Sequence, residues 1–223
     1  MNNAVLIQQC WPGDVGGKGD YQPLMELTKD RNQDYCEKHG FDYVYLVGCL
    51  SEKYANVYQG GWVKVELIRT ALAKGYEYVI WLDPDALIYD METDLRDACP
   101  KGIGSCWMRI PQLNHWNVGV LYMRNTPEVR KFIGDWLESF PGERDWMEQG
   151  EFNKLALKGR VVETISDRWN ATINYSMVPD AVVLGYHGNG DAPQRFSMMR
   201  DTLISLSKKA EADAGLQREV TDG

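Results

Sequence analysis

The sequence predicts an α/β fold in which helices flank a mixed, mostly parallel sheet, a Rossmann-like arrangement. Short apolar runs alternate with helical patterns along the chain, and this alternation is typical of β-α-β units. The chain has 223 residues, with neither an internal repeat nor a linker rich in Pro, Gly or Ser. We therefore expect a single domain over residues 1–223, with a polar tail from about Lys208.

In the first half, three apolar runs predict strands and the two periodic segments between them predict helices. The first helix is expected to begin at Pro23, because proline suits the first helical position, and to end at Gly40. The second helix has one apolar stripe and ends just before Gly75. The strands are Val5–Ile7, Phe41–Val47 and Tyr78–Leu82, and the second helix is Trp62–Lys74.

The best-defined helix of the second half begins at Thr126-Pro127-Glu128. These residues supply an N-cap, a proline at the first helical position and an acid in the first turn, and an apolar stripe follows them. The other expected elements are strands at Asn117–Met123, Val161–Ile165 and Ala181–Tyr186, a helix at Asp145–Lys158, and a C-terminal helix from about Phe196 to Leu206.

Composition and charge exclude several function classes. The 24 Lys and Arg against 32 Asp and Glu give a net charge of −8 without a basic block, which disfavours a nucleic-acid partner. No apolar run is long enough for a transmembrane segment and no signal peptide is evident, so we expect a cytoplasmic protein. The five cysteines form no CxxC pair and are expected to be reduced thiols.

Asp83 and Asp85 follow the third predicted strand directly. Strand side chains alternate between faces and Pro84 disfavours a helix, so both carboxylates are expected to point the same way. The carboxyl ends of strands bind ligands in open α/β sheets, and converging carboxylates suit Mg²⁺ or Mn²⁺. The sequence therefore predicts a divalent cation site, and the alternative is a solvated loop whose acids have no function.

Acidic residues are concentrated around this motif. Residues 76–98 contain seven acids and one arginine. We expect a bound cation to stabilise the protein by relieving repulsion among these acids.

The segment Ile80-Trp81-Leu82-Asp83-Pro84-Asp85-Ala86 resembles the metal-binding Asp-x-Asp element of GT-A-fold glycosyltransferases, most like families 8 and 34. Other motifs occur in the order found in these families, and the resemblance covers roughly residues 5 to 190. They are Trp62-Val63-Lys64, Asn117-Val118-Gly119-Val120, Asn125-Thr126-Pro127, Glu148-Gln149, Trp169-Asn170 and His187-Gly188-Asn189-Gly190. The resemblance implies a GT-A fold and transfer of a sugar from a nucleotide-diphosphate sugar, most simply a UDP-sugar, to a glycan or other hydroxyl acceptor.

The resemblance also implies roles for individual residues. The ligands of the Mn²⁺ or Mg²⁺ ion would be Asp83, Asp85 and His187, and Asp83 would also face the nucleotide sugar. The other residues that bind the donor would be Gln8, Lys64, Asn117, Gly119, Gly188 and Gly190, of which Asn117 and Gly119 would line the sugar pocket.

The catalytic pair implied by the resemblance is Glu148 and Gln149, which would touch the transferred sugar near its anomeric carbon. Families 8 and 34 retain the anomeric configuration, which requires no enzyme base. For an inverting reaction the candidate bases would be Glu148 and Asp145. Family 8 proteins more often carry Asp where Glu148 stands, so the sugar and the role of this residue stay open.

Two alternatives stay open from the residues alone. A haloacid-dehalogenase-type phosphatase also places Asp-x-Asp after an apolar strand, although its motif normally lies near the N-terminus and continues differently. A carbohydrate-binding or metal-binding module would use Asp83, Asp85 and His187 as a static ion site.

Overall fold

The computed structural model describes residues 2–14, 19–48, 60–108, 114–141 and 147–221, with nine strands and five α-helices. The strands are β1 (Ala4–Cys10), β2 (Phe41–Val47), β3 (Tyr78–Leu82), β4 (Ala86–Ile88), β5 (Ile103–Cys106), β6 (Val120–Arg124), β7 (Val162–Ile165), β8 (Ala171–Thr172) and β9 (Val183–Gly185). The helices are α1 (Gln22–His39), α2 (Gly60–Ala73), α3 (Pro127–Glu138), α4 (Met147–Lys158) and α5 (Ala192–Thr221).

Six strands form the central sheet in the order β2-β1-β3-β6-β5-β7. Strand β1 runs parallel to β2 and β3, and β5 runs parallel to β7, whereas β6 is antiparallel to β3 and β5. The expectation of a mixed, mostly parallel sheet flanked by helices is confirmed. Because β1 and β3 are parallel and in register from Ala4↔Tyr78 to Gln8↔Leu82, their carboxyl ends lie at the same edge.

A smaller sheet of three strands, in the order β4-β9-β8, adjoins this edge. Its strand β4 begins at Ala86, four residues after β3 ends at Leu82. Strand β4 pairs antiparallel with β9. Residues 83–85 therefore form the corner at which the chain passes from the central sheet to the smaller one. This corner carries both acids of the Asp-x-Asp motif.

The core is divided by the central sheet. Helices α2, α3 and α4 pack their apolar faces on one side, where Trp62, Ile68, Trp136 and Phe152 are fully buried. Helix α1 and strand β4 cover the other side, around Tyr35 and Tyr122. Burial of a large apolar side chain contributes roughly 1.5–3 kcal/mol, so these layers hold the corner at residues 83–85 in place.

The sequence signals at helix ends are confirmed. Gly40 follows α1 with φ of 70°, a left-handed conformation that glycine adopts without strain, and its N–H bonds to the carbonyl of Cys36. Thr126 precedes α3, and its hydroxyl accepts a hydrogen bond from the N–H of Val129 at 3.2 Å.

Several elements differ from expectation. Strands β4, β5 and β8 are two to four residues long and depend on pairing with distant strands, so no local pattern predicted them. The strand expected at Asn117 begins at Val120, which leaves Asn117 and Gly119 in the preceding segment. The C-terminal helix, expected from about Phe196 to Leu206, spans Ala192–Thr221, so the polar segment from about Lys208 is helical. Alanine, lysine and glutamate, which are frequent in this segment, are strong helix formers even without an apolar face.

Two further sequence expectations concern membrane-spanning segments and the state of the cysteines. None of the helices within the described ranges is both long and apolar enough to cross a membrane. Cys10, Cys36, Cys99 and Cys106 are free thiols, and burial raises the pKa of each to about 12. Cys49 lies outside the described residues.

Candidate active site

The corner after β3 is a tight turn. The N–H of Ala86 bonds to the carbonyl of Asp83 at 3.0 Å, so the chain turns at Pro84 and does not stay extended. Backbone bonds from two other segments fix the turn: Asp83 N–H to the Gly119 carbonyl at 2.7 Å, and Tyr186 N–H to the Asp85 carbonyl at 2.9 Å. The extended backbone expected at Pro84 is replaced by this turn, and the carboxylates of Asp83 and Asp85 have different partners, Lys64 and Arg195.

The Asp83 carboxylate belongs to an ionic group of Lys64, Asp83 and Glu148, which we call the Lys64 cluster; its lysine is buried and its two acids are partly buried. The Lys64 Nζ lies 3.0 Å from Asp83 Oδ1 and 3.4 Å from Glu148 Oε1, and it donates to the Val118 carbonyl at 3.0 Å. The indole N–H of Trp81 also donates to Asp83 Oδ1 at 2.6 Å. Residues from α2, α4 and the end of β3 thus meet around the ammonium group of Lys64, whose side chain is 4% exposed.

Burial and charge act in opposite directions in the Lys64 cluster. Burial alone would lower the pKa of Lys64, but the carboxylates of Asp83 and Glu148 outweigh it and raise this pKa, so the ammonium stays charged. Burial raises the pKa of the Asp83 carboxyl to about 6, against the lowering effect of Lys64 and with a further increase from Asp85. The lysine therefore holds two carboxylates together at the carboxyl end of β3.

The Asp85 carboxylate pairs with Arg195, a residue for which the sequence analysis predicted no role. Arg195 Nη1 lies 2.6 Å from Asp85 Oδ2, and both side chains are largely buried. Arg195 stands in the first turn of α5, where Asp191 and Gln194 form a reciprocal cap with two hydrogen bonds of 3.0 Å. This Asp-x-x-Gln pattern was the available sequence signal, because it places the helix start directly after His187-Gly188-Asn189-Gly190.

His187 lies near Asp85 but bonds elsewhere. Its Nε2 is 2.9 Å from the hydroxyl of Thr172. Burial lowers the pKa of His187; Asp85 opposes this effect, whereas Arg195 and His115 add to it. The imidazole is therefore neutral at neutral pH, which is the form that binds metals.

The glycines after His187 lie in a turn that is held by hydrogen bonds from the side chain between them. Gly188 and Gly190 have φ of 77° and 79°, in the left-handed region. The Asn189 side chain donates to the carbonyls of Tyr186, Ile173 and His187, and a β-carbon on Gly190 would lie 1.5 Å from Gln194 Oε1. Both glycines thus have a local structural reason, and their approach to a diphosphate stays a prediction.

The segment before β6 lies against Asp83. The amide oxygen of Asn117 accepts hydrogen bonds from the Gly119 N–H at 2.7 Å and from Asn170 Nδ2 at 3.0 Å. A β-carbon on Gly119 would lie 2.9 Å from that oxygen and 3.1 Å from Asp83 Oδ2. The structure therefore brings Asn117, Gly119 and Asp83 together, and their roles in binding the donor stay predictions.

Helix α4 brings the Glu148-Gln149 pair to the same place. Gln149 Oε1 accepts a hydrogen bond from the Val118 N–H at 3.2 Å, and its Nε2 lies 3.0 Å from His115 Nε2. Glu148 joins the Lys64 cluster. Asp145, the alternative base, lies outside the described residues.

Gln8 does not join this group. Its side chain is fully buried beside α1 and β2, and its amide oxygen accepts hydrogen bonds from Asn32 at 2.8 Å and Tyr43 at 2.7 Å. The amide nitrogen of Gln8 is buried without a hydrogen-bond partner among the described residues, and the role of Gln8 as a nucleotide contact stays a prediction.

Three of the seven acids of residues 76–98 are paired with cations from distant parts of the chain. Asp83 meets Lys64, Asp85 meets Arg195, and Glu92 meets Lys38. These pairs offset part of the expected mutual repulsion, although Asp85 still raises the pKa of Asp83. Stabilisation by a bound cation would then come mainly from its bonds to individual ligands and less from relief of repulsion.

The residue types at the corner fit a divalent cation, because carboxylate oxygens and a neutral imidazole are suitable ligands for Mn²⁺. In the described part of the chain, no group of three His, Cys, Asp or Glu side chains is arranged to hold an ion. The guanidinium of Arg195 stands where a cation would contact Asp85.

Comparison with known proteins finds glycosyltransferases among the proteins similar to this chain. Residues 2–101 match the model of the galactosyl transferase GMA12/MNN10 family. Galactomannan galactosyltransferase 1 of Cyamopsis tetragonoloba is 31% identical over 154 residues, which cover 65% of this chain and 34% of that protein. Xyloglucan 6-xylosyltransferase 2 of Arabidopsis thaliana is 29% identical over 160 residues, which cover 67% of this chain and 33% of that protein. The chain thus spans about a third of the length of these relatives.

Solved structures show the fold. The glycosyltransferase involved in glycosylation of the major capsid of PBCV-1 superposes with a TM-score of 0.66 over 88% of this chain and 98% of that one, at 14% identity. The glycosyltransferase GlyE of Streptococcus pneumoniae TIGR4 superposes with a TM-score of 0.52 over 84% of this chain and 56% of that one, at 13% identity. The chain therefore has the GT-A glycosyltransferase fold, and its residues 2–101 are similar to the galactosyl transferase GMA12/MNN10 family.

Proposed function

We propose that this chain transfers a sugar from a nucleotide-diphosphate sugar, a UDP-sugar, to a hydroxyl group of a glycan or other acceptor. The observation that carries the proposal is the Lys64 cluster, in which α2, α4 and the corner after β3 bring one lysine and two carboxylates together. The carboxyl edge of an α/β sheet is the usual ligand site. Similarity to proteins named as galactosyl- and xylosyltransferases supports sugar transfer as the reaction.

A divalent cation, Mn²⁺ or Mg²⁺, is part of this proposal, with Asp83, Asp85 and His187 as its ligands. Such an ion supplies positive charge that stabilises the leaving diphosphate in the transition state. The neutral imidazole of His187 supports its assignment as a ligand, since burial lowers the pKa of this residue. Gly188 and Gly190 would let the backbone approach the diphosphate.

The transferred sugar would lie between the segment before β6 and helix α4. Asn117 and Gly119 would line its pocket, and Glu148 and Gln149 would touch it near the anomeric carbon. The Glu148 carboxylate would stabilise positive charge that develops on this carbon. Lys64 would hold Asp83 and Glu148 in position, a role supported by its contacts with both carboxylates.

We propose a retaining reaction, in which the acceptor hydroxyl attacks the face from which the diphosphate leaves. In such a step the bond from the anomeric carbon to the diphosphate oxygen breaks as the bond to the acceptor oxygen forms. The proton of the acceptor hydroxyl passes to the departing phosphate oxygen, so no side chain has to act as a base.

The test is incubation with a panel of nucleotide sugars and Mn²⁺, followed by separate assays of free nucleoside diphosphate and of inorganic phosphate. Metal-dependent release of UDP is the expected result. Phosphate release without UDP would indicate a phosphatase, and sugar binding without release would indicate a binding module; either outcome contradicts the proposal.

Two variants test whether Asp85 belongs to the active site. We expect Asp85→Asn to abolish metal-dependent turnover and leave the fold intact. Asp201→Asn is the matched control, because this acid lies on the exposed part of α5 and pairs with Arg200. Turnover by Asp85→Asn equal to that of the wild type at limiting Mn²⁺ would show that the site is wrongly assigned.

A further inference from the structure

Asp85 has a buried counter-ion in Arg195. The two groups lie 2.6 Å apart, and the side chains of Arg195 and Asp85 are 13% and 8% exposed. A carboxylate at this depth is strongly disfavoured without a positive partner. Asp85 therefore needs either Arg195 or another cation.

The remaining contacts of Arg195 leave it free to move without unfolding its helix. Its Nε donates to the Gly190 carbonyl at 3.0 Å, and its guanidinium lies 5.7 Å from the ring centroid of Tyr21. The start of α5 is held by the reciprocal bonds between Asp191 and Gln194, which do not involve Arg195. Rotation of one side chain would release Asp85 and preserve the helix start.

Arg195 and a metal ion cannot both occupy the same side of Asp85. The guanidinium contacts Oδ2 directly, and a divalent ion at bonding distance from this oxygen would place two positive groups within a few ångströms of each other. We propose that Arg195 is an exchangeable counter-ion of Asp85, which neutralises the carboxylate until a divalent cation displaces it. This inference rests on the metal site of the proposed function.

The exchange has a measurable consequence for metal affinity. The metal binds only molecules in which Arg195 has left Asp85, so the apparent affinity is lowered by the fraction in that state. If Arg195 occupies Asp85 about nine-tenths of the time, its removal tightens metal binding by about tenfold. If Arg195 instead helped to form the metal site, its removal would weaken metal binding.

The experiment measures Mn²⁺ binding directly, from the electron paramagnetic resonance signal of free Mn²⁺, without nucleotide sugar or acceptor. We expect Arg195→Gln to bind Mn²⁺ about tenfold more tightly than the wild type. Arg200→Gln, a change in an exposed arginine of the same helix, should bind like the wild type. Adding Asp85→Asn to Arg195→Gln should remove the gain. Equal or weaker binding by Arg195→Gln, or no binding by any variant, would overturn the inference.

A second measurement uses the wild-type chain, so its result does not depend on whether a variant folds. During titration with Mg²⁺, the ¹⁵N-resolved Nε–H signal of Arg195 should shift with the same midpoint as metal binding. An unchanged signal at saturation would contradict exchange. Because neither measurement uses turnover, a chain that binds Mn²⁺ as described but releases no UDP would refute the proposed function and leave this inference standing.

Discussion

Gly61 and Glu148 are in direct contact across the α2–α4 interface: a β-carbon on Gly61 would lie 2.2 Å from Glu148 Oε2. The absence of a side chain at position 61 therefore lets the Glu148 carboxylate reach Lys64. Glycine is otherwise unfavourable within a helix, and its presence here has this specific structural reason.

We predict that Gly61→Ala folds but loses sugar transfer. The new methyl group would push the Glu148 carboxylate away from Lys64, because a flexible side chain moves more easily than a packed helix. Gly134→Ala in α3 is the matched control, since a β-carbon there has no atom within 4 Å, and it should raise the free energy of unfolding by about 0.5–1 kcal/mol. Turnover of Gly61→Ala at the wild-type rate would show that the position of Glu148 is unimportant.

Lys64→Met should destabilise the protein strongly. The change removes the shared partner of two carboxylates, of which Glu148 is 12% and Asp83 is 30% exposed. Because Asp83 is partly exposed, we expect a loss at the lower end of the roughly 3–5 kcal/mol that breaking a buried ion pair costs. Chemical denaturation measures this loss. Lys131→Met provides the comparison, because its pair with Asp135 is exposed and should contribute less than about 1 kcal/mol. Similar losses in the two variants would argue against a buried cluster.

Asp94 provides a prediction on pH. Burial raises the pKa of its carboxyl, but hydrogen bonds from the side chain and backbone of Arg96 outweigh burial and lower it overall. A carboxyl whose pKa is lower in the folded state stabilises the protein above its unfolded pKa, near 3.9, and this contribution is lost as pH falls through the folded pKa.

Asp94→Asn should therefore lower the free energy of unfolding at pH 7 by about 1 kcal/mol, since asparagine keeps the cap but loses the charge. The difference from the wild type should shrink below about pH 4. Urea unfolding of both proteins at pH 7, 5 and 3 measures this difference in the free energy of unfolding. A difference that stays constant over this range would exclude the charge as its source.

Mn²⁺ should stabilise the folded chain through Asp85. At a concentration of about 100 times the dissociation constant, a ligand that binds only the folded state adds about 2.7 kcal/mol. For a domain of this size the melting temperature should rise by about 5–10 °C. Differential scanning calorimetry with and without Mn²⁺ measures the rise, and an equal rise for Asp85→Asn would place the stabilising ion elsewhere.

The sequence predicted the features that depend on local chemistry. Strand β2 has its expected bounds. Gly40 follows the end of α1 and Thr126 precedes the start of α3, as the conformational freedom of glycine and the capping hydroxyl of threonine predict. The resemblance to family 34 is supported over residues 2–101, whereas the resemblance to family 8 stays a prediction. The single-domain organisation and the cytoplasmic location also stay predictions.

Long-range pairing accounts for what the sequence analysis missed. The corner at residues 83–85 turns because β4 pairs with β9, about a hundred residues later in the chain. Arg195 reaches Asp85 for the same reason; the Asp-x-x-Gln cap indicates where α5 begins but not that Arg195 meets Asp85. The grouping of Asp83, Asn117, Gly119 and Glu148 was predictable because the family motifs named these positions.

Strand β3 lies between β1 and β6, and all five of its residues pair with β6, from Tyr78↔Arg124 to Leu82↔Val120. The segment that matches the family model ends at residue 101, before β6 begins. That segment is therefore not modular: alone it would leave β3 as an open edge and Asp85 without Arg195. A chimera that exchanges residues 2–101 for those of a relative must also carry a compatible β6 and α5.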